Sequence, residues 1–105
     1  MRLTPLQANI IHDAVCRFFG EQAKVWLFGS RADDQKKGGD IDLLIQVNLT
    51  DAMEGLRLKT QLLASLDRQL GEQKIDVLLE TPNDERPVIQ IAKQTGMLLC
   101  KDSFR

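Results

Sequence analysis

The chain has 105 residues, of which 43% are hydrophobic and 28% are charged, and its formal net charge is −1. This length predicts one domain over residues 1–105, and the near-neutral charge excludes the basic surface that proteins use to grip long nucleic acids. No stretch approaches the ~20 apolar residues of a membrane helix and the N-terminus lacks the apolar run of a signal peptide, so we expect a cytoplasmic protein.

The first predicted element is a helix that begins after Thr4 and ends at Gly20. Thr4 is the expected N-cap, Pro5 occupies the first helical position, and Gln7 completes a capping box. His12 lies on or near the polar side of this helix, and we interpret it as a surface histidine rather than a metal ligand. The apolar stripe, which we expect to cover a sheet face, consists of Leu6, Ile10, Ile11, Ala14, Val15 and Phe18.

A short buried strand is predicted from Lys24 to Phe28, because this run is bulky and apolar and Gly29 stops it. Gly29 has no Cβ that would hold a ligand away from the backbone. If the chain turns helically after it, Ser30 lies at a helix N-terminus, where N–H groups and a hydroxyl can bind phosphate. The guanidinium of Arg31 can fork onto a phosphate, or it can pair with one of the aspartates that follow.

A second strand is predicted from Asp40 to Gln46, after a polar loop that is long enough for the chain to fold back. Side chains alternate along a strand, so Asp40 and Asp42 share one face and the aliphatic residues point to the other. Two adjacent carboxylates repel, and each tends to take up a proton unless a cation lies between them. A hard divalent ion suits this pair, Mg²⁺ above all, because it bridges carboxylates to substrate phosphates.

A long helix is predicted next, from a capping box of Asp51 and Glu54 to Gly71. Leucines at helical spacing predict its buried stripe, which consists of Leu56, Leu62, Leu63, Leu66 and Leu70. A last helix is expected around Val88 to Thr95, and the short apolar segment that follows it, Met97 to Cys100, is a candidate edge strand.

Between these helices a third strand is predicted from Lys74 to Leu79, with Asp76 on the face opposite its aliphatic neighbours. An acidic residue inside so apolar a strand is costly unless it is paired or bound to a metal, which makes Asp76 a candidate site residue. The alternative is an ion pair with a lysine or arginine from a helix. The order α-β-turn-β-α-β-α predicts an α+β fold, a small mixed β-sheet with helices against one face and the three aspartates on the opposite, more open face.

The pattern Gly-Ser, nine residues, Asp-x-Asp resembles the signature of the DNA polymerase β-like nucleotidyltransferases. The phrases L-F-G-S-R-A and D-I-D-L-L-I are similar in particular to the minimal nucleotidyltransferases, small prokaryotic proteins usually paired with a helical HEPN-domain protein. The resemblance covers almost all of the chain. Members carry a third carboxylate on a later strand, which Asp76 matches, and they often have Ser or His where this chain has Gly39.

This resemblance implies a Mg²⁺-dependent transfer of a nucleoside monophosphate, AMP from ATP, onto a hydroxyl. Asp40, Asp42 and Asp76 would hold two ions about 4 Å apart, and Asp76 is also a candidate general base. The phosphates would be bound by Gly29, Ser30 and Arg31. The resemblance further implies that the acceptor is a HEPN toxin bound as a hetero-oligomer, which would make this chain the antitoxin.

Two other classes of protein are also considered as interpretations of this sequence. A non-catalytic binding module of nucleotidyltransferase fold would neutralise or scaffold its partner by contact alone, but such a role has no use for three clustered carboxylates. A glycosyltransferase with an Asp-x-Asp motif also binds a divalent ion and a nucleotide. It normally needs a larger domain and does not require the Gly-Ser turn.

Overall fold

The computed structural model describes residues 3–29, 41–49, 51–71, 74–82 and 84–99, and the structural statements below refer to these ranges. Along them lie α1 (Pro5–Phe19), β1 (Lys24–Phe28), β2 (Ile41–Gln46), α2 (Ala52–Leu70), β3 (Ile75–Glu80), α3 (Pro87–Thr95) and β4 (Met97–Leu98). The predicted α+β order is confirmed, and the candidate edge strand is formed. Within these ranges, none of the helices combines the length and apolarity needed to cross a bilayer.

The helix starts follow their predicted capping chemistry. Thr4 Oγ1 accepts the Gln7 N–H at 3.1 Å and Gln7 Oε1 accepts the Thr4 N–H at 3.0 Å, so the capping box of α1 is complete. Asp51 caps α2 by accepting two backbone N–H groups of its first turn. The side chain of Glu54 pairs with Arg57 instead of returning to Asp51, so the reciprocal half of that predicted box is not formed.

The four strands form one mixed sheet in the order β3-β2-β1-β4. Strand β1 is antiparallel to β2 and β4, whereas β2 and β3 are parallel. In this register Asp42 lies beside Phe28 on one side and beside Asp76 on the other. The sheet therefore brings two of the predicted site residues into the same row.

One face of the sheet carries the main core, beneath α1 and α2. Ile41, Leu43 and Ile45 of β2 are fully buried there, and they join aliphatic residues of both helices in one cluster. Burying an aliphatic side chain of this size stabilises a fold by about 1.5–3 kcal/mol. The register of β2 is therefore fixed by three buried side chains at alternate positions.

The opposite face is also covered by a helix, so the prediction that all helices pack on one face is wrong for α3. Ile89 and Ala92 of α3 bury Leu44 of β2, and three partly buried residues pack around them: Trp26, Phe28 and Leu78. The reason lies in the composition of the strands, because β1, β2 and β3 each carry an aromatic or aliphatic residue on the aspartate face as well as aliphatic residues on the core face. Helix α3 covers these residues and leaves the aspartates beyond its edge.

The leucine stripe of α2 is confirmed except at Leu56, which is 56% exposed. The buried positions of this helix are Gly55, Leu62, Ser65 and Leu66. Gly55 faces the sheet, since a Cβ at this position would make an ordinary van der Waals contact with Leu79 Cδ1 at 3.5 Å. Leu56 is the next residue along α2, so its side chain points about 100° away from that of Gly55 and lies beside the contact with the sheet.

An ion pair ties α3 to the sheet. Lys93 Nζ lies 2.7 Å from Glu80 Oε1, an ion-pair contact that does not meet the angles of a hydrogen bond. Glu80 is only 7% exposed, and Lys93 Nζ also lies 5.3 Å from the centre of the Trp26 ring. The single ammonium group thus compensates a buried carboxylate and contacts the face of an aromatic ring.

We expect Lys93→Met to lower the free energy of unfolding by about 3 kcal/mol, because it keeps the volume but leaves the Glu80 carboxylate buried without its cation. Urea denaturation measures the loss. The double variant Lys93→Met/Glu80→Leu is the control, and it should lose less than the single variant because no charge is left uncompensated. A double variant as unstable as the single one would contradict the ion-pair interpretation.

A second ion pair orders the turn before α3. Arg86 donates hydrogen bonds to both oxygens of Asp84 and, at 2.7 Å, to the carbonyl of Leu79. The hydrogen bonds from the Arg86 side chain, and then from its backbone N–H, lower the pKa of Asp84 from 3.8 to about 2. Because the folded-state pKa lies below the unfolded one, this contribution to stability is present above about pH 4 and is lost as the pH falls towards 2.

Arg86→Ala should therefore return the pKa of Asp84 towards 3.8, since it removes the side-chain hydrogen bonds that lower this pKa most. An NMR titration of the Asp84 carboxyl carbon between pH 1.5 and 6 measures this directly. A pKa that stays near 2 in the variant would show that another group stabilises the carboxylate.

Candidate active site

The candidate site begins with a row of three side chains on neighbouring strands, Phe28, Asp42 and Asp76, which we call the aspartate row. Each is the register partner of the next, and all three lie on the sheet face that carries α3. Neighbouring strands are about 4.8 Å apart, so the two carboxylates start from adjacent positions. Asp42 is half-buried and Asp76 is exposed.

Gly29 lies beside this row, directly against Asp42. It follows Phe28 with φ +75, a left-handed conformation that favours glycine. A Cβ built on Gly29 would lie 2.3 Å from Asp42 Oδ2, so the Asp42 carboxylate packs directly against bare backbone. The first residue of the predicted Gly-Ser turn and one of the predicted metal ligands are therefore in contact.

The structure thus brings together Gly29, Asp42 and Asp76. The other candidate site residues, Ser30, Arg31 and Asp40, lie outside the described residues and stay predictions. Asp76 is exposed and forms no ion pair with a described lysine or arginine. The argument that its burial would be costly is therefore wrong, although its position on the aspartate face is as predicted.

A family model described as polymerase beta, nucleotidyltransferase, matches residues 14–104. The chain belongs to this nucleotidyltransferase family. No individual curated protein matches the sequence. Nucleotidyltransferases of this superfamily transfer nucleotidyl groups and generally use divalent metals, so the carboxylates of the aspartate row are the groups to test for metal binding.

The residues of this nucleotidyltransferase fit a hard divalent ion in their chemistry. If the two carboxylates are about as far apart as their strands, ~5 Å, they repel by about 1 kcal/mol in water and about 3 kcal/mol at an effective dielectric constant of ~20. A cation between them turns this repulsion into attraction. Within the described ranges no group of three His, Cys, Asp or Glu side chains could hold a metal, and Asp40, the third predicted ligand of this cluster, lies outside them.

Phe28 is a site residue that sequence reasoning did not single out. Its ring is partly buried against the cluster beneath α3, and it is the register partner of Asp42. The end of α3 holds it in place, since a Cβ on Gly96 would lie 3.1 Å from Phe28 Cβ and 2.7 Å from the Leu27 carbonyl oxygen. Its place directly before Gly29 was the available signal, because strand alternation puts it on the aspartate face.

A groove of about 610 Å³ lies at the other end of the sheet. It is formed by the connections α1–β1, β2–α2 and β3–α3, and it contains no residue of the aspartate row. The aspartate row is the candidate site, because there the Asp42 carboxylate contacts the bare backbone of Gly29. His12 also lies far from the aspartate row, because α1 packs against the opposite face of the sheet. Its Nδ1 lies 3.6 Å from Asp13 Oδ1.

Two alanine substitutions separate backbone strain from the contact with Asp42. Gly29→Ala and Gly71→Ala both place alanine at a positive φ, +75 and +78, but nothing lies within 4 Å of a Cβ at Gly71. Each should lose about 1 kcal/mol of unfolding free energy from the left-handed backbone. Gly29→Ala should lose a further 1–3 kcal/mol, or displace the Asp42 carboxylate.

Urea denaturation of both variants measures this difference, and calorimetric titration with Mn²⁺ and a non-hydrolysable ATP analogue measures the effect on the site. We expect weaker metal-dependent nucleotide binding in Gly29→Ala alone. Equal stability and equal binding in the two variants would show that Gly29 is not required to accommodate Asp42.

Proposed function

We propose that this nucleotidyltransferase moves AMP from ATP onto a hydroxyl acceptor in a Mg²⁺-dependent reaction. The observation that carries the proposal is the alignment of Asp42 with Asp76, with the bare backbone of Gly29 against the Asp42 carboxylate. Oxygen ligands at adjacent positions suit a hard cation, which bridges carboxylates to substrate phosphates.

In this proposal Asp42 and Asp76, with Asp40, hold the metal ions. Bound ions of this kind neutralise phosphate charge and lower the pKa of an attacking hydroxyl. Because the Asp42 carboxylate fills the Cβ position of Gly29, Gly29 would bind the triphosphate through its backbone, and Ser30 and Arg31 bind the pyrophosphate as its charge grows.

Asp76 acts as the general base and accepts the proton of the acceptor hydroxyl, because its exposed side chain can be reached from solvent. The acceptor oxygen forms a bond to the α-phosphorus, the bond from that phosphorus to the bridging oxygen breaks, and pyrophosphate leaves with the bonding pair. General base catalysis of this kind contributes about 10²–10⁴-fold to the rate.

We further propose that the acceptor is a helical HEPN-domain toxin, and that this chain acts in the cytoplasm as its antitoxin. The support is the likeness of L-F-G-S-R-A and D-I-D-L-L-I to the minimal nucleotidyltransferases, which are usually paired with a helical HEPN-domain protein. A partner protein would supply the acceptor side of the site.

The test is transfer of label from α-³²P-ATP to the co-purified partner with Mg²⁺. Asp42→Asn and Asp76→Asn should each lower the initial rate by at least about 10²-fold, because each removes a charged ligand of the site. Asp67→Asn is the matched control, since Asp67 is an exposed aspartate on α2, which packs against the opposite face. Its labelling rate should equal that of the wild type.

Labelling that persists in the double variant Asp42→Asn/Asp76→Asn would contradict the assignment of the aspartate row. The alternative function, a binding module that neutralises its partner by contact, predicts a different result. That module would show no metal-dependent heat on titration with a non-hydrolysable ATP analogue, and its double variant would still inhibit the partner.

A further inference from the structure

Lys74 places a positive charge beside the aspartate row. It directly precedes β3, and its carbonyl accepts the Ile41 N–H at 2.9 Å, so its backbone already belongs to the parallel ladder between β2 and β3. Side chains alternate along a strand, and Lys74 and Asp76 are two residues apart, so both belong to the sheet face that carries α3. The Lys74 side chain is exposed, as is that of Asp76.

The spacing along β3 puts the aspartate row within the range of the Lys74 side chain. Two residues of a strand span about 6.6 Å, which is the separation expected between the Cα atoms of Lys74 and Asp76. A lysine side chain is a flexible four-carbon stem that ends in a compact charge with rotatable donors. Lys74 can therefore contact a ligand that is bound against the Asp76 carboxylate.

The other described basic residues on or above this sheet face lie towards the far end of the sheet. Lys24 begins β1 and shares a register row with Glu80. Lys93 contacts Glu80 in that same row, and Arg86 lies in the turn that precedes α3. Of the basic residues that the structure describes on this face, Lys74 is therefore the one next to the aspartate row.

A bound nucleotide would require a positive charge at this place. The aspartate row already contains two carboxylates, and a phosphate chain brings further negative charge to them. Divalent ions offset part of this charge, and sites of phosphoryl transfer commonly add a lysine that contacts the phosphates. Lysine binds phosphate as a point charge with several donors, so it can follow a chain of phosphate oxygens.

We propose that Lys74 is a phosphate-binding residue of this site, and that its ammonium group donates hydrogen bonds to the phosphate chain of the bound nucleotide. The inference rests on the proposed nucleotidyl transfer and adds a protein ligand for the substrate. Lys74 acts in binding alone, so no proton is transferred and no covalent bond is formed at its side chain.

A purely structural role for Lys74 predicts the opposite response to metal. An ammonium group near two carboxylates can act as their counter-ion and compete with a metal ion for them. Removal of its charge would then strengthen metal binding and leave the affinity for nucleotide unchanged. A phosphate-binding residue, in contrast, is required for full nucleotide affinity.

Calorimetric titration with a non-hydrolysable ATP analogue and Mn²⁺ tests the proposal in Lys74→Met. This variant keeps the approximate length of the side chain but removes its charge, so the dissociation constant should rise at least about tenfold. Lys74→Arg keeps a cation and its donors, and it should retain most of the affinity. Every variant keeps the carbonyl that accepts the Ile41 N–H, and circular dichroism establishes that the fold is retained.

Lys24→Met is the matched control for the loss of one positive charge. Lys24 is also an exposed lysine at the start of a strand, and alternation places it on the same sheet face. Four residues of β1, about 13 Å, separate it from Phe28 of the aspartate row. This separation exceeds the screening length of about 8 Å at physiological ionic strength, so the dissociation constant of Lys24→Met should equal that of the wild type.

Inorganic triphosphate with Mn²⁺ is the second probe, because it has neither base nor ribose. Lys74→Met should bind it at least about tenfold more weakly than the wild type does. A loss seen with the ATP analogue but not with triphosphate would overturn the phosphate contact.

Three further results would overturn the inference. If the wild type binds the analogue and Lys74→Met binds it equally well, the assignment of Lys74 fails while the proposed function stands. Tighter Mn²⁺ binding in Lys74→Met without a loss of nucleotide affinity would identify a counter-ion, and an equal loss in Lys24→Met would identify a general effect of charge. A wild type that binds no nucleotide would overturn both this inference and the proposed function.

Discussion

The parallel register of β2 and β3 is the constraint on which the candidate site depends. It aligns Asp42 with Asp76, and the antiparallel partner β1 delivers Gly29 to the Asp42 carboxylate. A slip by one residue would move every side chain of β2 to the other face. It would expose three buried aliphatic residues and bury Asp42 beneath α1 and α2, so the hydrophobic core holds the carboxylates in place.

The register of β1, β2 and β3 arranges the side chains of the aspartate face in three rows, and α3 covers the middle row. The aspartate row lies at one end, and the middle row, Trp26, Leu44 and Leu78, lies beneath α3. In the third row Glu80 is held by Lys93 of the same helix. The middle row gives this face its own small core, so the site lies next to a packed surface instead of on a bare sheet.

Much of this arrangement could be predicted from local sequence patterns. The capping box at Thr4, the strand that ends at Gly29 and the position of Asp42 on the face opposite Leu43 follow from spacings of a few residues. The position of α3 did not follow, because the paired leucines in D-L-L-I and D-V-L-L break strict alternation and supply apolar residues to both faces. The exposure of Leu56 and the strand register depend on contacts between distant segments, which no local pattern specifies.

The inner and outer surfaces of α3 differ in composition and can change independently. Its inner surface, Ile89, Ala92 and Lys93, contacts the sheet, whereas its outer surface is uncharged and exposed. An α-helix with its side chains is about 10 Å across, and effects of residues more than about 7–10 Å apart without shared partners usually add. A substitution at Ile91 should therefore leave the Lys93–Glu80 pair intact. Substitutions on the outer surface of α3 can therefore leave the aspartate row in place, because the contacts of its inner surface with the sheet are kept.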